Sequence, residues 1–193
     1  MCLVTLVSWW ATNAFLPFVA EHLAVEQEGG IHMKGRATLL FAVGGLLGTV
    51  ATIPLARLGR RPLFAIYLAG AALSIWVTFG LDWTPATRTS LLFLDGLTVF
   101  GVVGAFSFYL PELFPTRLRG TGSGFCFNTG RYLAAAGPSL VGAALGVSAT
   151  PMDAIRWVAL VPLVGLCLVP FIVETAPMAA LGAYEVGDLE ADG

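Results

Sequence analysis

Charged residues are scarce in this sequence. Asp, Glu, Lys and Arg together make up 11% of the 193 residues, whereas a soluble globular domain carries about 25%. So few charges cannot cover a water-facing surface, and 57% of the residues are hydrophobic. The composition therefore excludes an ordinary soluble domain and predicts that most side chains outside the core face lipid.

Histidine and cysteine are rare as well, with two and three residues. Cys2, Cys126 and Cys167 are scattered among apolar runs, so neither a disulfide framework nor a metal cluster is predicted. The sequence contains no nucleophile–base pair and no phosphate-binding loop. Its net charge of -2 does not predict the basic surface that nucleic-acid binding needs. We expect no catalytic residue, no metal and no nucleic-acid partner. A polytopic membrane enzyme is disfavoured because it would carry clustered His, Asp or Glu at one interface.

Long apolar runs occupy most of the chain. A helix needs about 20 mostly apolar residues to cross a bilayer. Six runs approach that length: Leu3–Ala20, Ala37–Ala56, Leu63–Leu81, Thr89–Leu110, Ser123–Gly146 and Ile155–Val173. They predict an all-α polytopic membrane protein with a six-helix transmembrane bundle at residues 1–175. The small and acidic segment at residues 176–193 is expected to be a disordered tail.

The basic residues of the loops predict the orientation in the membrane. Loops on the cytoplasmic side carry an excess of Lys and Arg. One set of loops holds Arg57, Arg60, Arg61, Arg117 and Arg119, and the opposite set holds Lys34, Arg36, Arg88 and Arg156. The first set is denser and closer to its helix ends, so we place it in the cytoplasm. An even number of spans then puts both termini there, with the chain in the plasma (inner) membrane.

Two loop motifs carry a family resemblance. The stretch YLPELFPTRLRGTGSGFCFNTGR runs from Tyr109 to Arg131, and LGRRP runs from Leu58 to Pro62. Together they resemble the major facilitator superfamily, in particular the C-terminal half of sugar porters and proton-coupled metabolite symporters. The family's loop P-E-x-x-P-T-x-x-R-G is matched by Pro111, Glu112, Pro115, Thr116, Arg119 and Gly120, and its G-R-R by Gly59, Arg60 and Arg61. Glu174 and Thr175 resemble the family's P-E-T ending, with Val173 in place of the proline.

The resemblance implies secondary active transport of a small organic solute, either an organic anion or a sugar, driven by proton symport and needing no cofactor. The spans would correspond to helices seven to twelve of a twelve-helix transporter. Because such transporters bind substrate between two six-helix halves, we expect a partner besides lipid: an N-terminal half or a second copy. The alternative is a truncated, non-transporting remnant or a membrane scaffold.

Polar residues inside the spans are candidates for substrate binding. Asp95 and Arg131 each cost about 2.5–3.5 kcal/mol near a helix centre, so each should face a partner or a wet cavity. Two readings stay open. The residues neutralise each other as a buried pair, or Arg131 binds an anionic substrate group while Asp95 takes a coupling proton. Asn128 shares a helix face with Arg131, and Asn13 is a polar group in the first span. These four residues form the expected substrate-binding set.

Glu112 lies at the cytoplasmic end of the fourth span. It would be within reach of Arg60, Arg61, Arg117 or Arg119 if their loops meet. The arginines could simply be solvated and follow the positive-inside rule, with exposed pairs worth about 0–1 kcal/mol. They could instead form an ion-pair network that holds the helix ends together in one state and releases them in another. The family resemblance favours the second reading, a cytoplasmic gate made of these five residues.

Glycines cluster in the second span. Gly44 and Gly48 lie four positions apart, beside Gly45. Small residues at this spacing let helix backbones approach closely in lipid. We expect them to mediate ordinary helix packing within the bundle.

Overall fold

The computed structural model describes residues 30–134, 143 and 159–175. Within these residues the chain forms helices and no strand, so the predicted all-α class is confirmed. The α-helices of the described part are α1 (Gly30–Leu55), α2 (Arg60–Gly80), α3 (Pro85–Glu112), α4 (Arg119–Ala134) and α5 (Leu160–Leu168). Short 3-10 turns at Ala56–Leu58 and Val169–Phe171 follow α1 and α5.

Three helical segments are long and apolar enough to cross a membrane. They are Lys34–Leu58 with 25 residues, Arg60–Gly80 with 21 and Pro85–Glu112 with 28. At 1.5 Å per residue each is at least about 30 Å long, which confirms an integral, polytopic membrane protein. The predicted first span and the tail at 176–193 lie outside the described residues, and α4 and α5 cover only parts of the last two predicted spans. The number of six spans therefore stays a prediction.

Local sequence explains where α2 and α3 begin. Thr84 caps the N-terminus of α3, where its Oγ1 accepts a hydrogen bond from the Thr87 amide at 3.4 Å, and Pro85 occupies the first helical position. Gly59 separates α2 from the preceding 3-10 turn with φ at 110°. This left-handed backbone is readily adopted only by glycine.

Helices α1 and α3 run parallel and pack with almost no space between their backbones. A Cβ added at Gly44 would lie 2.0 Å from the Phe93 carbonyl oxygen, and one at Gly48 would lie 2.0 Å from the Leu97 oxygen. From the other side, a Cβ on Gly96 would lie 2.1 Å from the Phe41 oxygen. The glycines therefore pack within the chain, as the sequence predicts.

Tyr67 of α2 reaches into the same seam. Its hydroxyl donates to the Gly48 carbonyl oxygen at 2.7 Å, and its ring lies where a Cβ on Gly101 would be 1.9 Å from ring atom Cε1. The side chain is buried in the main core between α2 and α3, and this core extends to Val169 and Ile172 after α5. One aromatic side chain thus holds α1, α2 and α3 together, with α2 antiparallel to the other two.

Candidate functional site

Three chain segments meet at one end of the bundle. They are the start of α2, the end of α3 and the segment that follows α5. The ionisable and hydroxyl side chains gathered there are named the Arg60 cluster: Arg60, Arg61, Glu112, Glu174 and Thr175. This end carries the loops that the sequence places in the cytoplasm.

A bidentate ion pair between Arg60 and Glu112 forms the centre of the Arg60 cluster. Arg60 Nε donates to Glu112 Oε2 at 2.8 Å, and Arg60 Nη2 pairs with Glu112 Oε1. The Arg60 side chain is 1% exposed and that of Glu112 is 19% exposed. The guanidinium also lies 4.8 Å from the centre of the Phe108 ring, a cation–π contact. The planar fork of arginine matches the two carboxylate oxygens, a geometry that lysine cannot reproduce.

Glu174 binds the N-terminus of α2. The backbone amides of Arg60 and Arg61 donate to its two oxygens, with Arg61 N 3.0 Å from Oε2. Amides in the first turn of a helix lack partners within the helix, and the helix dipole favours a negative charge there. Gly59 makes room for this contact, since a Cβ at that position would lie 2.6 Å from Glu174 Oε1. The glycine of the G-R-R motif is thus required by both its φ angle and this close approach.

Thr175 completes the cluster. Its hydroxyl donates to Glu112 Oε2 and lies 3.3 Å from Arg60 Nε. Arg61 has a different role from Arg60, because its Nε donates to the Ile172 carbonyl oxygen at 3.0 Å while the side chain stays half exposed, 4.0 Å from Glu174. Both arginines therefore fix the segment after α5 against α2.

The cluster agrees only partly with the predicted gate. Of the four arginines expected near Glu112, the structure brings Arg60 into contact with it. Arg117 and Arg119 are exposed, and in the described part of the chain neither forms an ion pair with Glu112. The gating role itself stays a prediction. Glu174 and Thr175 belong to the cluster although the predicted gate does not include them, and the acidic residue just after the last span is the signal that indicates them.

Asp95 lies on α3 toward the opposite end of the bundle, which is named the Arg88 end. It is ten positions after Pro85, about 15 Å along the helix, and is 0% exposed. Its carboxyl faces the hydroxyls of Ser74 and Thr78 on α2. Among the described residues, neither carboxylate oxygen has a hydrogen bond of normal geometry, and Thr78 Oγ1 has none either. Buried polar groups without partners are rare in folded proteins and costly.

Arg88 precedes Asp95 by seven positions on the same helix. Its Nε donates to the Thr78 carbonyl oxygen at 3.2 Å, and its Nη2 donates to the Leu81 oxygen at 3.2 Å. These carbonyls end α2, where cationic side chains satisfy the last backbone acceptors. The arginine nearest to Asp95 along α3 is therefore bound to backbone and does not neutralise the carboxylate.

Arg131 and Asn128 lie on the exposed face of α4. Asn128 Nδ2 donates to the Gly124 carbonyl oxygen at 2.8 Å. Arg131 is twelve positions from the start of α4, about 18 Å along the helix. Within the described residues no ion pair joins Arg131 to Asp95, so the buried pair that one reading expected is not formed. Asn13 lies outside the described residues, and the substrate-binding role of all four residues stays a prediction.

Comparisons with known proteins identify relatives of this chain. No protein-family model matches it. It is 37% identical over 113 residues to the probable 4-methylmuconolactone transporter of Cupriavidus pinatubonensis, which covers 58% of the chain and 25% of the relative. It is 30% identical over 146 residues to the cis,cis-muconate transport protein of Acinetobacter baylyi, covering 70% of the chain and 35% of the relative. The chain is a relative of membrane transporters.

A third relative is the gentisate transporter of Corynebacterium glutamicum, 29% identical over 143 residues, with 72% of the chain and 30% of the relative covered. These relatives are all named as transporters, which is consistent with the resemblance that the two loop motifs indicated. The matched chain spans between 25% and 35% of the length of these curated relatives.

Proposed function

We propose that this chain is the C-terminal six-helix half of a secondary active transporter that moves a small organic anion across the plasma (inner) membrane. Both termini face the cytoplasm, and a second six-helix unit, either an N-terminal half or a second copy, supplies the other wall of the substrate cavity. The observation that carries the proposal is the Arg60 cluster, in which one ion pair and one helix cap tie three helix ends together in a chain related to transporters.

The substrate class follows from the chemistry of Arg131. Two of the relatives are named for muconate and gentisate, both of which are carboxylates. The Arg131 guanidinium lies on an exposed helix face and has no ion-pair partner among the described residues. A planar fork of donors suits a carboxylate better than a neutral sugar. Asn128 stands one helical turn away and presents an amide oxygen, since its Nδ2 is used by the backbone.

The Arg60 cluster serves as the gate at the cytoplasmic end. Alternating access requires that one end of the cavity close while the other opens. With Arg60 bound to Glu112 and Glu174 bound to the start of α2, the three helix ends stay together. Separating them breaks the mostly buried pair of Arg60 and Glu112 and the amide contacts of Glu174, and water then solvates the separated charges. Arg117 lies in the loop before α4 and Arg119 is the first residue of α4, and both are exposed.

Counterflow in lipid vesicles tests this function. The chain is reconstituted alone, which allows two copies to pair, and also joined to an N-terminal six-helix unit. Vesicles are loaded with unlabelled cis,cis-muconate, gentisate or glucose, and entry of the same labelled compound is measured. We expect carboxylate exchange above that of protein-free vesicles, and no glucose exchange. Absence of carboxylate exchange in both forms would overturn the proposal in favour of a non-transporting remnant or scaffold.

A further inference from the structure

We propose that Asp95 is the binding site of the coupling proton, located between α2 and α3 and separate from the substrate-binding face of α4. The inference rests on the proposed function, because a coupling proton has meaning only in a transport cycle. Of the two readings that the sequence leaves open, it takes the one in which Asp95 binds a coupling proton, and it separates this site from the substrate cavity beside Arg131.

Among the residues that the structure describes, none places a positive charge beside Asp95. From α2 it is faced by the hydroxyls of Ser74 and Thr78. From α1, the backbone at Phe41 packs against the neighbouring Gly96. The charged residues of the helices packed on α3 stand elsewhere. Lys34 and Arg36 are exposed near the start of α1, and Arg119 and Arg131 are exposed on α4. Arg60 and Arg61 belong to the Arg60 cluster at the far end of α2, and Arg88 of α3 itself is bound to backbone. Without a cation beside it, a buried carboxylate is costly, and a bound proton removes that charge.

The hydroxyls around Asp95 can serve both of its protonation states. When the carboxylate takes a proton from water, it becomes a neutral carboxyl with one O–H donor, and no electrons are exchanged. A hydroxyl can accept from that donor or, after rotating, donate to the carboxylate that remains once the proton leaves. Thr78 Oγ1 is free for this role, since it has no hydrogen bond among the described residues. Ser74 Oγ now shares a hydrogen bond with Thr98 Oγ1 at 3.0 Å and can switch to Asp95.

The shortest route for the proton leads to the Arg88 end. Along α3, Arg88 is about 10 Å from Asp95, whereas Glu112 is about 25 Å away. The interval toward Glu112 contains the buried apolar side chains of Val99, Val102 and Phe106. The hydroxyls of Thr98, Tyr67 and Tyr109 in this interval are already hydrogen-bonded to backbone carbonyl oxygens. The proton therefore enters from the Arg88 end. The same two helices carry Arg60 and Glu112 at their opposite ends, so a shift of α2 against α3 changes both sites.

Infrared titration tests proton binding without requiring transport. The full chain in lipid vesicles is titrated, and the absorption of protonated carboxyl groups is followed. Among the carboxyl bands that titrate, we expect one to be lost in Asp95→Asn and kept in Asp82→Asn. Asp82→Asn is the matched control, because Asp82 is an exposed acid in the loop before α3. An unchanged set of bands in Asp95→Asn would overturn the proposal. If Asp95→Asn fails to fold, Asp95→Glu is used, and the band must shift in frequency and remain titratable.

A transport comparison tests coupling. Two rates are measured for the parent, Asp95→Asn and Asp82→Asn: uptake driven by an inward proton gradient, and counterflow. Their ratio is then compared between the three proteins. We expect Asp95→Asn to lose accumulation above equilibrium, with a smaller loss in counterflow, and Asp82→Asn to keep the parent ratio. Accumulation by Asp95→Asn, or accumulation that follows Na⁺ at fixed pH, would overturn the proposal. If the parent shows no counterflow, the proposed function fails, while the infrared band still decides whether Asp95 binds a proton.

Discussion

Arg60, the first residue of α2, and Glu112, the last residue of α3, form a two-point ion pair although they are 52 positions apart in the chain. Because α2 and α3 are antiparallel, this ion pair joins the start of α2 to the end of α3 at one end of the bundle. Glu174 adds a third chain segment by accepting two amides at the start of α2. The residues of the G-R-R motif therefore act through backbone geometry as well as through charge.

The stability of this end should depend on Arg60 far more than on Arg61. Arg60→Ala leaves Glu112 mostly buried without its two guanidinium donors and should lower the free energy of unfolding by about 1.5–3 kcal/mol. Arg61→Ala removes a half-exposed side chain whose ion pair is worth about 0–1 kcal/mol. Denaturant unfolding of both variants in the same detergent measures the difference. Equal losses would show that burial of the Arg60 pair has no energetic consequence.

Exchanging the charges of the central pair tests whether it gates transport. Arg60→Glu places a second carboxylate against Glu112, and repulsion should reduce transport strongly. Adding Glu112→Arg restores opposite charges and should recover part of the activity, since the amide contacts to Glu174 do not depend on the Arg60 side chain. The readout is counterflow in a double-mutant cycle. Strictly additive losses would mean that the two residues are not coupled.

The close approach of α1 and α3 should make Gly48 intolerant of a methyl group. Gly48→Ala forces the Leu97 carbonyl away and should cost about 1–3 kcal/mol of stability. Gly35→Ala on the same helix is the control, because a Cβ there meets nothing within 4 Å. Thermal unfolding of the two variants provides the comparison. A Gly48→Ala protein as stable as the Gly35→Ala protein would contradict the parallel packing of α1 on α3.

The Tyr67 hydroxyl should contribute measurably to holding three helices together. Tyr67→Phe removes its bond to the Gly48 carbonyl oxygen and leaves the ring in place, at a cost of about 0.5–1.5 kcal/mol. Tyr132→Phe provides the control, since the Tyr132 side chain is 82% exposed. Unfolding in detergent should separate the two variants. The hydrogen bond makes no net contribution if Tyr67→Phe is as stable as the parent.

The sequence predicts the position of a helix better than the direction in which its side chains point. The lengths of the apolar runs predict the spans that correspond to α1, α2 and α3, because the length of an apolar run is a local property of the sequence. Asp95 could be assigned to a span, yet its burial depends on Ser74 and Thr78, which come from a different helix. In a lipid-facing bundle both sides of α3 are apolar, so the pattern does not indicate which side Asp95 faces.

The charge cluster was predictable only in part, because some of its contacts join segments that are far apart in the sequence. The pair of Arg60 and Glu112 could be expected, since both residues belong to motifs at span ends that the sequence predicts to lie on one side of the membrane. The binding of Glu174 to the start of α2 depends on where the chain runs after α5, which no local pattern encodes. The G-R-R motif marks Gly59, but its positive φ of 110° depends on the backbone path between the 3-10 turn and α2, which the motif does not encode.

We propose that Arg131 binds the carboxylate of the transported anion, and Arg131→Lys is the decisive variant. Lysine keeps the positive charge and loses the planar fork. The dissociation constant of cis,cis-muconate is measured on the folded transporter, including its second six-helix unit, with Arg36→Lys on the exposed start of α1 as the control. The account predicts at least about tenfold weaker binding by Arg131→Lys, or about 1.4 kcal/mol, and unchanged binding by Arg36→Lys. Binding by Arg131→Lys equal to that of the parent would contradict it.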